Sequence, residues 1–183
     1  MDNGKTYIAQ LKERSVEAFD RMIEQYGNGL YWHIRRVVIR HDEAKDILQD
    51  TFTRAYLSIG DFRGENEDSL AAWLYRIATG IAVKALRKRN RWAWLSLDAV
   101  RPSLLATFEH EQDPSADEIE LRLQRAILAL PTKQRLVFNM RYYDEMSFEQ
   151  ISQVTGQSIS TLKTNYHYAA RRVKELVKTV EIE

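Results

Sequence analysis

The chain has 183 residues, room for one large domain or two small ones with modest cores, and its seven Gly and three Pro favour an all-α protein. It has no cysteine, which excludes disulfides, thiolate zinc sites and thiol nucleophiles, and its four histidines are scattered. Net charge is +1, no apolar run is long enough to cross a bilayer, and the first ten residues lack a signal peptide's hydrophobic stretch, so a reducing, cytoplasmic setting is expected.

From about residue 5 to residue 91 the apolar side chains recur at helical spacing. Phe19, Ile23, Tyr26 and Leu30 mark one helix, and Trp32, Ile34, Val37 and Val38 continue it after an interruption expected at Gly27 to Gly29. Asp42 opens the next, where Ala44, Ile47, Leu48, Phe52, Ala55, Tyr56 and Ile59 form a broad apolar stripe. Spacings of three and four put Asp46, Gln49 and Asp50 together on its polar face. Residues 60–69 read as a polar loop containing Phe62. In the helix that follows, Leu70, Trp73, Leu74, Ile77, Ala78 and Ile81 point inward. Its cations gather at the C-terminal end, where they complement the helix dipole.

Charge is distributed unevenly. Residues 69–91 carry six basic and no acidic groups, residues 92–120 one basic and seven acidic, and residues 121–183 ten basic and six acidic. Two basic blocks around an acidic spacer suit two separate sites on one polyanion, although a charge run also serves as a solvated face. Helical periodicity fades from about residue 95 to 117, where Pro102 and Pro114 interrupt the chain, so this stretch reads as a linker with room for short helical pieces. A second unit begins near Glu118, with a helix through Leu121, Ile127 and Leu128 that ends before Pro131. Thr132 is expected to cap the next, which holds Leu136, Val137, Phe138 and Met140.

Residues 147–173 read as a helix-turn-helix. Ser147 and Gln150 make a capping-box start, Phe148, Ile151 and Val154 share one face, and Gly156 ends the helix where a left-handed backbone is needed. Ser158 or Ser160 caps a second helix built on Leu162, Tyr166, Ala169, Ala170 and Val173. Its other faces present Thr161, Lys163, Thr164, Asn165, His167, Arg171 and Arg172, donors suited to phosphates and base edges.

The segments DEAKDILQDTFTRAYLSIGDF (42–62), AAWLYRIATGIAVKALRKRNR (71–91), LPTKQRLVFNMRYYDEMSFEQIS (130–152) and TLKT (161–164) together resemble a bacterial extracytoplasmic-function (ECF) sigma factor of the sigma-70 family. The resemblance covers nearly the whole chain, in the family's order. It implies an all-α fold of two helical domains: residues 1–93 as sigma region 2, residues 94–117 as an acidic linker, and residues 118–183 as sigma region 4. It implies core RNA polymerase and promoter DNA as partners, and an anti-sigma factor, since many relatives are held inactive by one. It implies no cofactor, metal or catalytic residue.

Role by role, the resemblance places polymerase binding on Asp46, Gln49, Asp50 and Arg54. Recognition and melting of the −10 element fall to Phe62, Arg63 and Asn66 in the loop and to Arg76, Gly80, Lys84, Arg87, Lys88 and Arg91 on the basic helix. Recognition of the −35 element falls to Ser160, Thr161, Lys163, Thr164, Asn165, His167, Arg171 and Arg172. The linker, with Glu109, Glu111 and Asp113, would run toward a cationic channel of the polymerase. Trp73 is assigned to the core, and Trp92 and Trp94 to base stacking or to packing at the linker junction.

The chain also departs from the family. The usual W-L-x-x-I-A-x-N-x-x-x-D has Asn and Asp where this chain has Gly80 and Lys84, which puts inherited −10 specificity in doubt. Thr164-Asn165-Tyr166 stands where relatives often have Ser-Arg-Leu, and Asn pairs with adenine where Arg prefers guanine. Two other classes compete with this reading. An operator-binding helix-turn-helix regulator would work without polymerase, on two-fold symmetric sites. A nuclease could align Asp42, Asp46 and Asp50, but no second ligand cluster accompanies them.

Overall fold

The computed structural model describes residues 3–89, 101–111 and 117–179. Among these the chain is all-α, in the order α1 (Asn3–Lys12), α2 (Val16–Val38), α3 (His41–Ser58), α4 (Glu67–Arg89), α5 (Arg101–Glu111), α6 (Glu118–Leu128), α7 (Thr132–Tyr142), α8 (Phe148–Thr155) and α9 (Ile159–Thr179). A 3-10 turn at Ile59–Asp61 closes α3.

Helices α2, α3 and α4 pack on one another around Leu30, Ile34, Val37, Ala44, Ile47, Leu70, Leu74, Ala78 and Ala82. Helix α1 adds Tyr7, Ile8 and Leu11 to that core. The Ser15 hydroxyl accepts the Ala18 N–H and starts α2. Contrary to expectation, α2 then runs unbroken through Gly27 and Gly29. Each glycine costs a helix about 1 kcal/mol relative to alanine, but Leu30 and Ile34 on the next turns are wholly buried and outweigh it. Gly29 also lets α4 approach, because a Cβ there would sit 2.9 Å from the Tyr75 hydroxyl. Two residues expected inside, Ile23 and Trp32, are 46% and 48% exposed, while Met22 and His33 take inward positions. Helix α2 stops at Ile39, whose φ of 72° is rare for a β-branched residue. Its side chain is buried, which holds it there.

The expected linker contains a full helix, α5. Pro102 does not interrupt the chain here but is the second residue of α5, where a missing N–H costs nothing. Leu104 is wholly buried in the first core, with Leu105 and Phe108 packed against it; burial of one such leucine contributes about 2 kcal/mol. Glu109, expected to be free for a cationic channel, binds Arg125 of α6 through two hydrogen bonds of 2.7 and 3.1 Å. Asp113 and Pro114 lie outside the described residues.

In the C-terminal half, Asp117 caps α6 and the chain enters α7 with Pro131 at the cap position, so Thr132 is the first helical residue rather than the cap. Ala126, Ile127, Leu130, Phe138, Ala169 and Val173 form one core that joins α6, α7 and α9. A second core joins Val137, Met140, Met146, Ile151, Val154 and Leu162 to Ala72 of α4, so the two halves pack directly on each other.

Candidate nucleic-acid interface

The first candidate surface lies on α4. Arg76, Gly80, Lys84 and Lys88 are spaced by four and form a single exposed ridge over three turns, with Arg87 exposed beside it. Among the described residues none of these cations is paired with a carboxylate, so their charge is available to phosphates. Across the ridge lies a cleft of about 300 Å³ between α3 and α4, lined by Arg54, Trp73, Arg76, Ile77, Gly80 and Ile81. It continues into a second depression of about 420 Å³, where Asp50, Thr53, Arg54 and Leu57 face Gly80, Ile81, Lys84, Ala85 and Lys88. A Cβ at Gly80 would meet nothing within 4 Å, so the missing side chain leaves this cleft open. The fold thus brings Asp50 and Arg54 of α3 to the same groove as the α4 ridge. Asp46 and Gln49 are also exposed on α3, outside the groove's lining.

The start of α4 is fixed by a polar clamp. Glu67 receives Arg21 at 3.0 Å and Gln25 at 2.8 Å from α2, and its carbonyl accepts the Tyr26 hydroxyl. Asn66 caps the helix: its side-chain oxygen accepts the Ser69 N–H at 2.8 Å, and the Ser69 hydroxyl accepts the Asn66 N–H. Phe62 is 4% exposed and packs against the half-buried Trp73, with ring centroids 5.1 Å apart. Of the three loop residues expected at DNA, only Arg63 therefore presents an uncommitted, exposed side chain. Phe62 belongs to the core because the loop folds back over α4, and the Asn66 oxygen serves the helix. Trp73 joins the core as expected, along the cleft wall. Arg91, Trp92 and Trp94 lie outside the described residues.

The second surface is the helix-turn-helix. The capping box is complete, with the Gln150 N–H given to the Ser147 hydroxyl and the Ser147 N–H to the Gln150 side chain. Gly156 adopts φ 72°, which glycine reaches without a Cβ penalty. The Ser152 hydroxyl donates to the Gln157 carbonyl at 2.7 Å and sets the turn. Ser158, not Ser160, caps α9 by accepting the Thr161 N–H. Ser160, Thr161, Lys163, Thr164, His167, Arg171 and Arg172 are all exposed, and Asn165 is half-buried. The Thr164 hydroxyl donates back to the Ser160 carbonyl, and Arg171 pairs with Glu175 at 3.0 Å. The donors nearest the N-terminus of α9 stand where a recognition helix meets base edges.

Known proteins show the same organisation. Residues 22–92 match the family model for sigma-70 region 2, and residues 120–173 match that for sigma-70 region 4. The chain is 28% identical to the ECF RNA polymerase sigma factor SigW of Bacillus subtilis, over 95% of this chain and 96% of that one. It is 26% identical to the RNA polymerase sigma-H factor of Pseudomonas aeruginosa, over 97% of this chain and 95% of that one.

The chain belongs to the sigma-70 family, as an ECF sigma factor.

The fold of this sigma factor is shared with CnrH, solved in complex with the cytosolic domain of CnrY (TM-score 0.71, 21% identity, 96% of this chain and 97% of that one). It is shared also with RpoE from Bartonella quintana, solved with the anti-sigma factor NepR (TM-score 0.68, 23% identity, 89% of this chain and 98% of that one). The region 2 match takes in α3, α4 and most of α2, and the region 4 match carries the helix-turn-helix. Among the described residues no group of three His, Asp or Glu could hold a metal, and no helix is long and apolar enough to cross a membrane.

Sequence reasoning missed one group within this sigma factor. His33 and Arg36 of α2 meet Asp144 from the turn after α7, and the other ring nitrogen of His33 bonds the Thr79 hydroxyl of α4. No local pattern marks them, since His33 and Asp144 are 111 residues apart.

Proposed function

We propose that this sigma factor docks on core RNA polymerase through the exposed face of α3 and directs it to promoters by reading two DNA elements. Asp46, Gln49, Asp50 and Arg54 supply the polymerase contacts. The α4 ridge of Arg76, Lys84, Arg87 and Lys88, with Arg63, holds the phosphates of the −10 element, and the cleft left open by Gly80 lies beside it. The N-terminal part of α9 enters the major groove at the −35 element, with Ser160, Thr161, Lys163, Thr164 and Asn165 nearest the bases and His167, Arg171 and Arg172 along the backbone. The protein works by binding and makes or breaks no bond. Its place is the cytoplasm, with the polymerase, and an anti-sigma factor is a further partner.

One observation carries this reading: an unpaired cationic ridge on one helical unit and a donor-rich recognition helix on another, with the acidic face of α3 bordering the ridge across a shared groove. Unstacking a base costs a few kcal/mol and has to be offset by such phosphate contacts. Two modest contact sets joined by a tether reinforce each other through effective concentration.

The test is capture of purified core RNA polymerase by the wild type and by Asp46→Ala/Gln49→Ala/Asp50→Ala. These side chains are exposed, so the variant keeps its fold and is expected to lose capture. Equal capture by both would remove α3 from the account. No capture by either, with tight duplex binding by the protein alone, would favour the operator-binding regulator.

A further inference from the structure

Region 2 and region 4 meet through apolar contacts, which include Leu128 and Leu136 packed on the region 2 core, beside a buried charged centre. Ala72 of α4 packs with Val137, Met140, Met146, Ile151 and Val154. Beside it the Asp144 side chain, only 3% exposed, accepts from His33 Nδ1 at 2.6 Å and from Arg36 Nη1 at 3.1 Å. The His33 side chain is 1% exposed, its Nε2 stands 2.9 Å from the Thr79 hydroxyl, and its ring lies edge-on to Tyr75 at 5.0 Å. The Arg36 guanidinium lies 4.3 Å from the centre of the Tyr143 ring, next in sequence to Asp144. Glu145, on the other side of Asp144, adopts φ 53°, a left-handed backbone that is unfavourable for a non-glycine residue.

Packed in this way, the protein is too short for its DNA. Elements named −10 and −35 lie about 25 base pairs apart, or about 85 Å of duplex at 3.4 Å per pair. A compact chain of this length has a radius of gyration of about 16 Å. The reading surfaces are nonetheless uncovered, since Ala72 and Tyr75 face region 4 while Arg76, Gly80 and Lys84 lie on another side of α4. Opening therefore requires separating the two regions, not stripping either recognition face. A charge network suits such a joint. Intact, it is satisfied in the interior, and with one member withdrawn it leaves buried charge unpaired, so it favours a discrete closed state over a loosely sliding one.

We propose that His33, Arg36 and Asp144 form a latch that holds the free sigma factor closed and has to part before the protein spans a promoter. The gating consequence rests on the promoter-reading role above; the latch itself does not. Because the chain has no cysteine, Glu24→Cys and Lys174→Cys, both at exposed positions, give a unique pair for dyes reporting the separation of the regions in the full chain.

The wild type is expected to show one compact population. Asp144→Ala is expected to raise the open-to-closed ratio on the order of a hundredfold with helical content unchanged. Asp144→Asn, which keeps size and removes charge, guards against loss of fold and is expected to open in the same direction by a smaller factor. A wild type already open, or folded Asp144 variants with unchanged separation, would overturn the latch. In run-off transcription Asp144→Ala is expected to reach half-maximal initiation at a lower protein concentration. An open variant with no such change would overturn the gating. Initiation by neither protein would count against the promoter-reading role, and the dye measurement alone would then decide the latch.

Discussion

The rings of Phe62 and Trp73 lie 5.1 Å apart and tilted by 41°, tying the loop before α4 to the second turn of α4 itself. The loop reaches this position by passing over Gly64, where a Cβ would overlap the Phe62 ring and approach the Ser69 Cβ to 2.7 Å. Gly64→Ala is therefore expected to destabilise region 2 by about 1–3 kcal/mol, as overpacked sites do. Urea unfolding checks this, and an unchanged midpoint would show that the loop is not held in this way.

The unpaired cations of α4 make a salt-dependence prediction. Lys84→Ala and Lys88→Ala are each expected to lower the slope of log affinity against log salt by about one, with base preference unchanged. Gly80→Asn behaves differently. Nothing crowds a Cβ there, so stability is expected to hold or rise by a few tenths of a kcal/mol. The new amide enters the cleft, so −10 preference shifts. Binding titrations over a set of −10 sequences separate the two effects.

In α9, Arg171 and Arg172 are adjacent and exposed, but Arg171 already pairs with Glu175. Arg172→Ala is expected to weaken duplex binding more than Arg171→Ala, and Glu175→Ala to strengthen it modestly, by no more than about 1 kcal/mol for a surface pair. Equal losses from the two arginine variants would show that DNA displaces the pair without cost.

Alkaline pH offers a further check. Burial, with Asp144 adding to it, pushes the Tyr75 hydroxyl up to about 12, and burial with Glu67 pushes Tyr26 up to about 12. Tyr7 and Tyr143 are also raised, chiefly by burial. A raised phenol favours the neutral form in the folded state. Its contribution is fully present below the ordinary value near 10 and is lost as pH rises from there through about 12. Circular dichroism with tyrosinate absorbance is expected to show unfolding and ionisation proceeding together in that window. Ionisation complete near pH 10 in a still-folded protein would contradict the burial of these rings.

Features set by a few neighbouring residues were legible in the sequence. The capping box at Ser147 and Gln150 and the left-handed turn at Gly156 are local chemistry, and both stand as read. Helix α2 was not legible as one piece, because its continuity through Gly27 and Gly29 depends on packing against α4. Helix α5 was hidden by Pro102, which breaks a helix interior but suits a first turn. Phe62 looked like a loop residue available to DNA, since nothing local shows that it folds onto Trp73. The Asp144 network had no signature, because Asp144 sits in the turn after α7, more than 100 residues from His33 and Arg36 of α2, and reaches them only when the regions dock.

The central claim, that this ECF sigma factor confers promoter choice on core RNA polymerase, is tested most directly by run-off transcription on genomic fragments with core polymerase alone and with the protein added. Defined start sites that appear only with the protein, and that are lost with Asp46→Ala/Gln49→Ala/Asp50→Ala, are the expected result. Identical transcripts with and without the wild-type protein, at concentrations that saturate polymerase capture, would contradict it.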